Sequence, residues 1–317
     1  MVVRGLLSGV EVGLVLALAL FAINYSRIEL VREVPFGSTH RSNVDRPASE
    51  RLALETLADR VQILRVSGFV FFGTASGLLE RIRKRAEGRP IPFLLVDLRR
   101  VTGMDSSAVL SFRKLVQFAE GDRVQLIFSG ASQRVLGQLR RGGVAASAGV
   151  VSFVPDLDQG LEACEDGLLV SDEWIGRERG GGQSMGELRD RLGAYVERVS
   201  LPEGAVLIHQ EQPPDDVFVL ESGRLKVEMT TPEGERLRLR SMRAGVVVGE
   251  VALYTGVPRT ADVVAETPSV VLRLSQASID RMEAADPELA VELHRWLATT
   301  LAERLRYTLN AFDTLFD

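Results

Sequence analysis

Val248-Gly249-Glu250-Val251-Ala252-Leu253-Tyr254-Thr255-Gly256-Val257-Pro258-Arg259-Thr260-Ala261 sets a carboxylate and a guanidinium around a short helical pattern. A cyclic phosphodiester carries one negative charge, and a guanidinium with backbone amides in a partly dry pocket holds such a charge well. Arg259 supplies the guanidinium. A helix starting near Glu250 would aim its free N–H groups, including those near Ala252 and Leu253, at the same phosphate. Gly249 lacks the Cβ that would keep a ligand off the backbone, and Glu250 offers an acceptor to a ribose 2′-hydroxyl. The same two charges also fit a plainer arrangement, an ion pair between Glu250 and Arg259 in a domain that binds nothing.

Outward from this stretch, the turns Pro202-Glu203-Gly204, Ser222-Gly223-Arg224 and Pro232-Glu233-Gly234 punctuate apolar runs at 217–220, 225–229 and 270–274. Turns at that density predict a small antiparallel barrel or roll. A short amphipathic helix is expected over 185–196 and a longer one over 287–315. In the latter, Leu289, Leu293, Leu297, Leu301, Leu305 and Leu309 recur every four residues, an apolar stripe that belongs beside the roll.

The order Gly-Glu-x-Ala-Leu followed by Pro-Arg-Thr-Ala resembles the phosphate-binding cassette of the cyclic-nucleotide-binding domains found in catabolite activator proteins, cyclic-nucleotide-dependent kinases and gated channels, with the likeness covering about 188–309. The resemblance implies a site for cAMP or cGMP formed by Gly249, Glu250, Val251, Ala252, Leu253, Arg259, Thr260 and Ala261. It also makes side chains near 304–309 lid contacts over the base. Thr260 could bond a guanine edge, as its equivalent does in cGMP-responsive relatives, but one hydroxyl does not choose between the two nucleotides. Gly204 and Gly223 stand where such rolls turn tightly. Two positions depart from the pattern: Glu211 replaces a usual turn glycine, and Asp262 brings a carboxylate that would weaken phosphate binding if it faced the ligand.

Ahead of a charged, glycine-rich stretch, Arg177-Glu178-Arg179-Gly180-Gly181-Gly182-Gln183-Ser184, apolar runs at 61–66, 93–98, 124–128 and 151–154 alternate with helical patterns at 75–86, 106–119 and 132–141 and another after Asp156. That alternation predicts a largely parallel or mixed sheet covered by helices. Between the second strand and its helix lies Thr102-Gly103-Met104-Asp105-Ser106-Ser107-Ala108, where Gly103 would permit a turn and Asp105 or Ser106 would cap the helix. The run resembles the phosphorylation motif of STAS domains, shared by anti-sigma-factor antagonists and the tails of sulfate permeases. Ser107 falls on the phosphorylated serine, although Ala108 replaces the usual glycine. The serines could equally serve only the helix end.

The chain starts with an apolar stretch, 5–25, in which Glu11 is the one charge, followed by Arg27, Arg32, Arg41, Arg46 and Arg51. About 20 apolar residues suffice to span a bilayer, and trailing arginines place the following chain in the cytoplasm. A signal peptide and a buried helix are the competing readings. The runs Phe21-Ala22-Ile23-Asn24-Tyr25-Ser26-Arg27, Arg41-Ser42-Asn43-Val44-Asp45-Arg46 and Gly68-Phe69-Val70-Phe71-Phe72-Gly73-Thr74-Ala75 resemble, in order and spacing, the junction between the last membrane helix and STAS tail of SulP (sulfate permease) transporters. The fold class expected is therefore α+β and multidomain: a transmembrane helix over 1–26, a juxtamembrane linker over 27–51, a STAS-type β-sheet covered by helices over 52–167, a Gly-rich linker over 168–184, and a cyclic-nucleotide-binding β-roll with flanking helices over 185–317.

With 317 residues, 45% hydrophobic, 26% charged and a net charge of -5, the composition is that of folded domains and offers no basic face for nucleic acid. One cysteine excludes an intrachain disulfide, and His40, His209 and His294 are too scattered for a metal cluster, so neither a metal nor a cofactor is expected. A transcription regulator would need a DNA-binding helix-turn-helix beside the roll, and an enzyme would need a histidine near Ser106 and Ser107 or a dinucleotide motif. Neither signal occurs. The expectation is the cytoplasmic regulatory region of a SulP-type anion transporter at the plasma or inner membrane, a fragment of a longer protein, with cAMP or cGMP as ligand rather than cofactor. Its expected partners are the transporter's membrane domain, proteins docking on the STAS domain and a second copy in a homodimer. A membrane-anchored sensor, or a STAS scaffold with a silent roll, is the alternative.

Overall fold

The computed structural model describes residues 31–34, 36, 40–86, 91–170, 188, 191–231, 234 and 236–316, with 13, 14 and 16 of the leading stretch. Apart from 13, 14 and 16, the apolar segment 5–25 lies outside the described residues, as do the Gly-rich segment 168–184 beyond Val170 and residues 185–187, 189 and 190 of the helix expected over 185–196. Among the described residues no helix is long and apolar enough to cross a membrane. The chain divides into two compact units, Met1–Val34 with Gln62–Leu157, and Pro35–Val61 with Asp158–Asp317.

The first unit is a five-stranded sheet in the order β1-β3-β4-β5-β6. Its strands are β1 (Val31–Val34), β3 (Val61–Val70), β4 (Phe93–Met104), β5 (Gln125–Ser129) and β6 (Val151–Val154), while β2 belongs to the second unit. β1 runs antiparallel to β3, whereas β4, β5 and β6 run parallel, as the strand–helix alternation predicts. Helices α2 (Phe72–Ala86), α3 (Ser106–Asp122) and α4 (Gln133–Arg141) bury an apolar stripe against the sheet; Leu78, Ile82, Phe112, Leu115 and Leu139 join Leu94, Val96 and Phe128 in one core. Phe112 meets Phe128 edge-on with centroids 5.9 Å apart, a favourable aromatic geometry. Gly103 does not make a turn. It lies within β4, where a Cβ would stand 3.1 Å from the Phe69 ring, so its small size rather than its flexibility is used.

The second unit is a two-sheet roll. One sheet has the order β2-β11-β10-β13-β8 and the other β12-β9-β14-β7. The strands are β2 (Val44–Asp45), β7 (Glu197–Leu201), β8 (Val206–Ile208), β9 (Asp216–Ser222), β10 (Arg224–Thr230), β11 (Arg236–Arg243), β12 (Val247–Val248), β13 (Asp262–Ala265) and β14 (Ser269–Ser275). All pairings are antiparallel except that of β2 with β11. Phe218, Leu220, Leu225, Met242, Val263 and Val271 fill the interior. Gly223 makes the β9–β10 turn at φ 90°, where a Cβ would lie 2.5 Å from the Pro268 carbonyl.

Helix α6 (Glu250–Thr255) leaves the roll after β12, and α7 (Gln276–Ala285) and α8 (Pro287–Phe316) follow β14. Leu289, Leu293 and Leu297 of α8 pack with Ile279, Met282 and Leu274 in a second core. The stripe divides there: Leu297 is fully buried, while Leu305 is 61% exposed. The segment read as a juxtamembrane linker, 27–51, carries β1, β2 and the start of helix α1 (Ala48–Thr56). Its Arg46 is buried against Glu165 at 3.0 Å and Asp166 at 2.6 Å, both on α5 (Leu157–Val170). Burial opposes that charge, but the carboxylates of Glu165, Asp166 and Glu50 outweigh it and hold the Arg46 pKa above its ordinary value.

Candidate functional site

A cavity of about 350 Å³, at the small end of the range for ligand sites, opens on the roll between the β12–α6 turn, the loop carrying Arg259 and the distal part of α8. Its wall includes Gly249, Glu250, Val251, Ala252, Arg259, Thr260 and Ala261 of the sequence-derived set, and Ile208, Met242 and Val263 from the sheet. Leu253, also expected there, packs instead against the helical core below.

Gly249 turns the chain out of β12 at φ 96°, a backbone conformation that side chains resist. A Cβ there would stand 2.8 Å from both Arg259 Nη1 and the Asp216 carbonyl. The close approach that requires glycine is thus made by the protein's own arginine and by the Asp216 carbonyl. The opening residues of α6 face the cavity, where the first amides of a helix have no intrahelical acceptor.

Arg259 is buried, and its guanidinium donates to two backbone carbonyls, Nη1 to Gly249 O at 2.9 Å and Nη2 to Asp216 O at 2.5 Å. Among the described residues no carboxylate stands within ion-pairing distance of it. Burial draws its pKa below the ordinary value, with the more distant Asp216, Asp215 and Glu250 opposing. A guanidinium keeps its charge, so a dry cation held only by carbonyl dipoles favours an anion in the adjoining cavity. The ion pair between Glu250 and Arg259 does not form. Glu250, also buried, pairs with Arg304 of α8, whose Nη2 donates to Val247 O at 2.5 Å.

The two departures from the cassette pattern are absorbed locally. Glu211 adopts φ 68°, the left-handed turn that a glycine would take, and its N–H donates to Arg259 O at 2.8 Å. Asp262 accepts from the Gln210 N–H at 2.8 Å and is absent from the cavity wall. Leu301, Arg304 and Leu305 line the cavity from α8; the sequence placed Leu301 and Leu305 in the apolar stripe and lid contacts near 304–309, but singled out none of the three as a site residue. Their spacing of three and four residues puts them on one helix face, which was the available signal.

In the first unit, Asp105 caps α3 by accepting from Ala108 N at 2.6 Å, while Ser106 and Ser107 are exposed and take no part in the cap. Gln138 of α4 holds the end of β4, donating to Met104 O at 2.8 Å. Cys164 is buried, which pushes its thiol pKa up and leaves it unreactive. Among the described residues no group of His, Cys, Asp or Glu is placed to hold a metal ion.

One unit is thus a helix-covered mixed sheet with an Asp105-capped turn, and the other a β-roll with an arginine-lined cavity. In agreement, residues 198–286 match the cyclic nucleotide-binding domain and residues 56–159 match the STAS domain, so the chain carries both. The vacuolar basic amino acid transporter VSB1 of Saccharomyces cerevisiae is 26% identical over 172 residues, 51% of this chain and 16% of that protein. Glutaminase 1 of Bradyrhizobium diazoefficiens is 26% identical over 293 residues, 88% of this chain and 46% of that protein. The chain thus spans less than half the length of either relative. Among solved structures, the N-terminal domain of a transcriptional regulator from Streptomyces coelicolor A3(2) is similar at 30% identity, covering 39% of this chain and 86% of that one, with a TM-score of 0.33. The Thermus thermophilus catabolite activator protein is similar at 26% identity over 41% of this chain and 59% of its own, with a TM-score of 0.35.

Proposed function

We propose that this chain is the cytoplasmic regulatory region of a SulP-type secondary anion transporter, in which the roll binds cAMP or cGMP and the bound state modulates transport. One observation carries the binding half: the buried Arg259 guanidinium faces a cavity with only carbonyl acceptors in hydrogen-bond contact. The cyclic phosphate fits beside Arg259 and the opening amides of α6, and Glu250 accepts from the ribose 2′-hydroxyl. The base then lies toward Leu301 and Leu305, with Thr260 at its edge.

The transport half is supported by the junction-like sequence runs and by the similarity to a vacuolar amino acid transporter. In this reading the apolar leading segment is the last membrane helix of the longer transporter, and everything after about residue 26 lies in the cytoplasm at the inner or plasma membrane. The exposed Ser107 is a phosphorylation site on the STAS surface, where protein partners dock. A ligand shifts an equilibrium only through different affinities for two states, so nucleotide must prefer one transporter conformation. The test is anion uptake by the complete protein with and without nucleotide; uptake unchanged at saturating cAMP and cGMP refutes the regulatory role.

The match to a glutaminase over 88% of this chain supports a second reading, in which the same two domains are a portable sensor serving an effector other than a transporter. Attaching the chain to a heterologous effector and measuring its nucleotide response separates the two.

A further inference from the structure

Residues 43–51, which lie in sequence between β1 and β3 of the first unit, belong to the second unit and lie along the roll as a strap. Val44 and Asp45 form β2, in parallel register with Ser241 and Met242, and Ser241 N donates to Asn43 O at 3.1 Å. Pro47 packs where a Cβ on Gly245 would come within 3.3 Å. Arg51 pairs with Glu303 of α8, the neighbour of Arg304. Asp45 itself is shared by two arginines of the cavity wall, with Oδ2 3.1 Å from Arg240 Nη1 and 3.3 Å from Arg304 Nε. Arg304 therefore bridges two carboxylates, Glu250 inside the cavity and Asp45 on the strap.

We propose that Asp45 is a positioning residue for the nucleotide site and that nucleotide binding tightens the strap onto the roll. The inference rests on the cyclic-nucleotide reading of the cavity. A ribose hydroxyl that donates to Glu250 takes up acceptor capacity that Arg304 now uses. The guanidinium cannot shed its charge, and Asp45 is a second carboxylate already in contact with its Nε. Binding thus moves the weight of the Arg304 pairing from Glu250 to Asp45. Because coupling is reciprocal, a docked strap must favour ligand by the factor with which ligand favours the docked strap. In sequence the strap lies between β1 and β3 of the first unit, so a change in its docking is carried along the chain to that unit without passing through a further domain.

The experiment is calorimetric titration of the full chain with the nucleotide it prefers and with the 2′-deoxy form of that nucleotide, for wild type, Asp45→Asn and Asp45→Glu. Asp45→Asn is expected to weaken the ribonucleotide about five- to twentyfold, within the usual span of coupling factors, to leave the 2′-deoxy form within about twofold, and to be largely rescued by Asp45→Glu. Hydrogen exchange of wild type supplies a readout free of any variant: amides over 43–51 should slow when nucleotide saturates the site. Equal losses for both ligands, unchanged affinity in Asp45→Asn, or strap exchange unmoved by nucleotide each overturn the inference while leaving the nucleotide site intact. No binding by wild type overturns the nucleotide reading, and the inference with it.

Discussion

Glu250 and Arg259, the two charges that mark the cassette in the sequence, do not pair with each other: Arg304 closes on Glu250, and Arg259 turns to the carbonyls of Gly249 and Asp216. On the proposed nucleotide reading each charge thereby keeps a separate task, one as acceptor for a hydroxyl and one as donor to an anion.

Arg259→Ala removes the cation from the cavity and should weaken cyclic nucleotide by the cost of truncating a buried charged contact, about 2–5 kcal/mol, or roughly 30-fold to several thousandfold in Kd. Arg259→Lys keeps the charge without the fork and should fall between. Urea unfolding of each variant separates lost binding from lost folding.

Glu250→Gln should erase discrimination between ribose and 2′-deoxyribose. A hydrogen bond to a charged acceptor contributes about 1.5–3 kcal/mol, so the wild type should prefer the ribonucleotide by roughly 10-fold to 150-fold and the variant by far less. Paired titrations with the two ligands measure this difference. A preference that survives the substitution would move the hydroxyl contact elsewhere.

Gly249→Ala strains the backbone at φ 96° and drives a Cβ to 2.8 Å from Arg259 Nη1. A loss of about 1–3 kcal/mol in stability is expected, read as a lower urea midpoint, together with weakened nucleotide binding because Arg259 must move.

The α8 stripe separates core from lid. Leu297→Ala, at a fully buried position, should cost about 2–5 kcal/mol. Leu305 is largely exposed yet lines the cavity, so Leu305→Ala should change stability by under about 0.5 kcal/mol while weakening nucleotide. Unfolding curves and titrations on the same two proteins test the split.

At the start of α3, Asp105→Ala should cost about 1 kcal/mol as a lost cap, whereas Ser106→Ala and Ser107→Ala should leave the unfolding midpoint nearly unchanged. Equal destabilisation by all three would return the serines to the helix end and away from a regulatory role.

Four of the five strands of the first unit were legible because buried strands are apolar along their length; the run at 151–154 coincides with β6, and the helix expected from Ser106 starts there, whereas β3 and β4 run on to Val70 and Met104 and the edge strand β1, with two of its four residues exposed, was read as linker. The cassette was legible because its chemistry is compressed into one short stretch. Several strands of the roll carry too little alternation to stand out: β7 and β8 are short and only partly covered, and β13 is short with three of its four residues buried. The turn role given to Gly103 failed because a glycine can serve packing as well as conformation, and only the position of Phe69 distinguishes the two. The strap was not legible at all. Its pairing with β11, and the contacts of Asp45 with Arg240 and Arg304, join residues distant in sequence, and nothing local to 43–51 announces them.

Calorimetric titration of the full chain with cAMP and with cGMP, run beside Arg259→Ala, tests whether the roll binds a cyclic nucleotide through Arg259. Saturable one-site binding of at least one nucleotide by wild type, lost in the variant, is the predicted result. No heat from either ligand at millimolar concentration, or equal affinity in the variant, would contradict it.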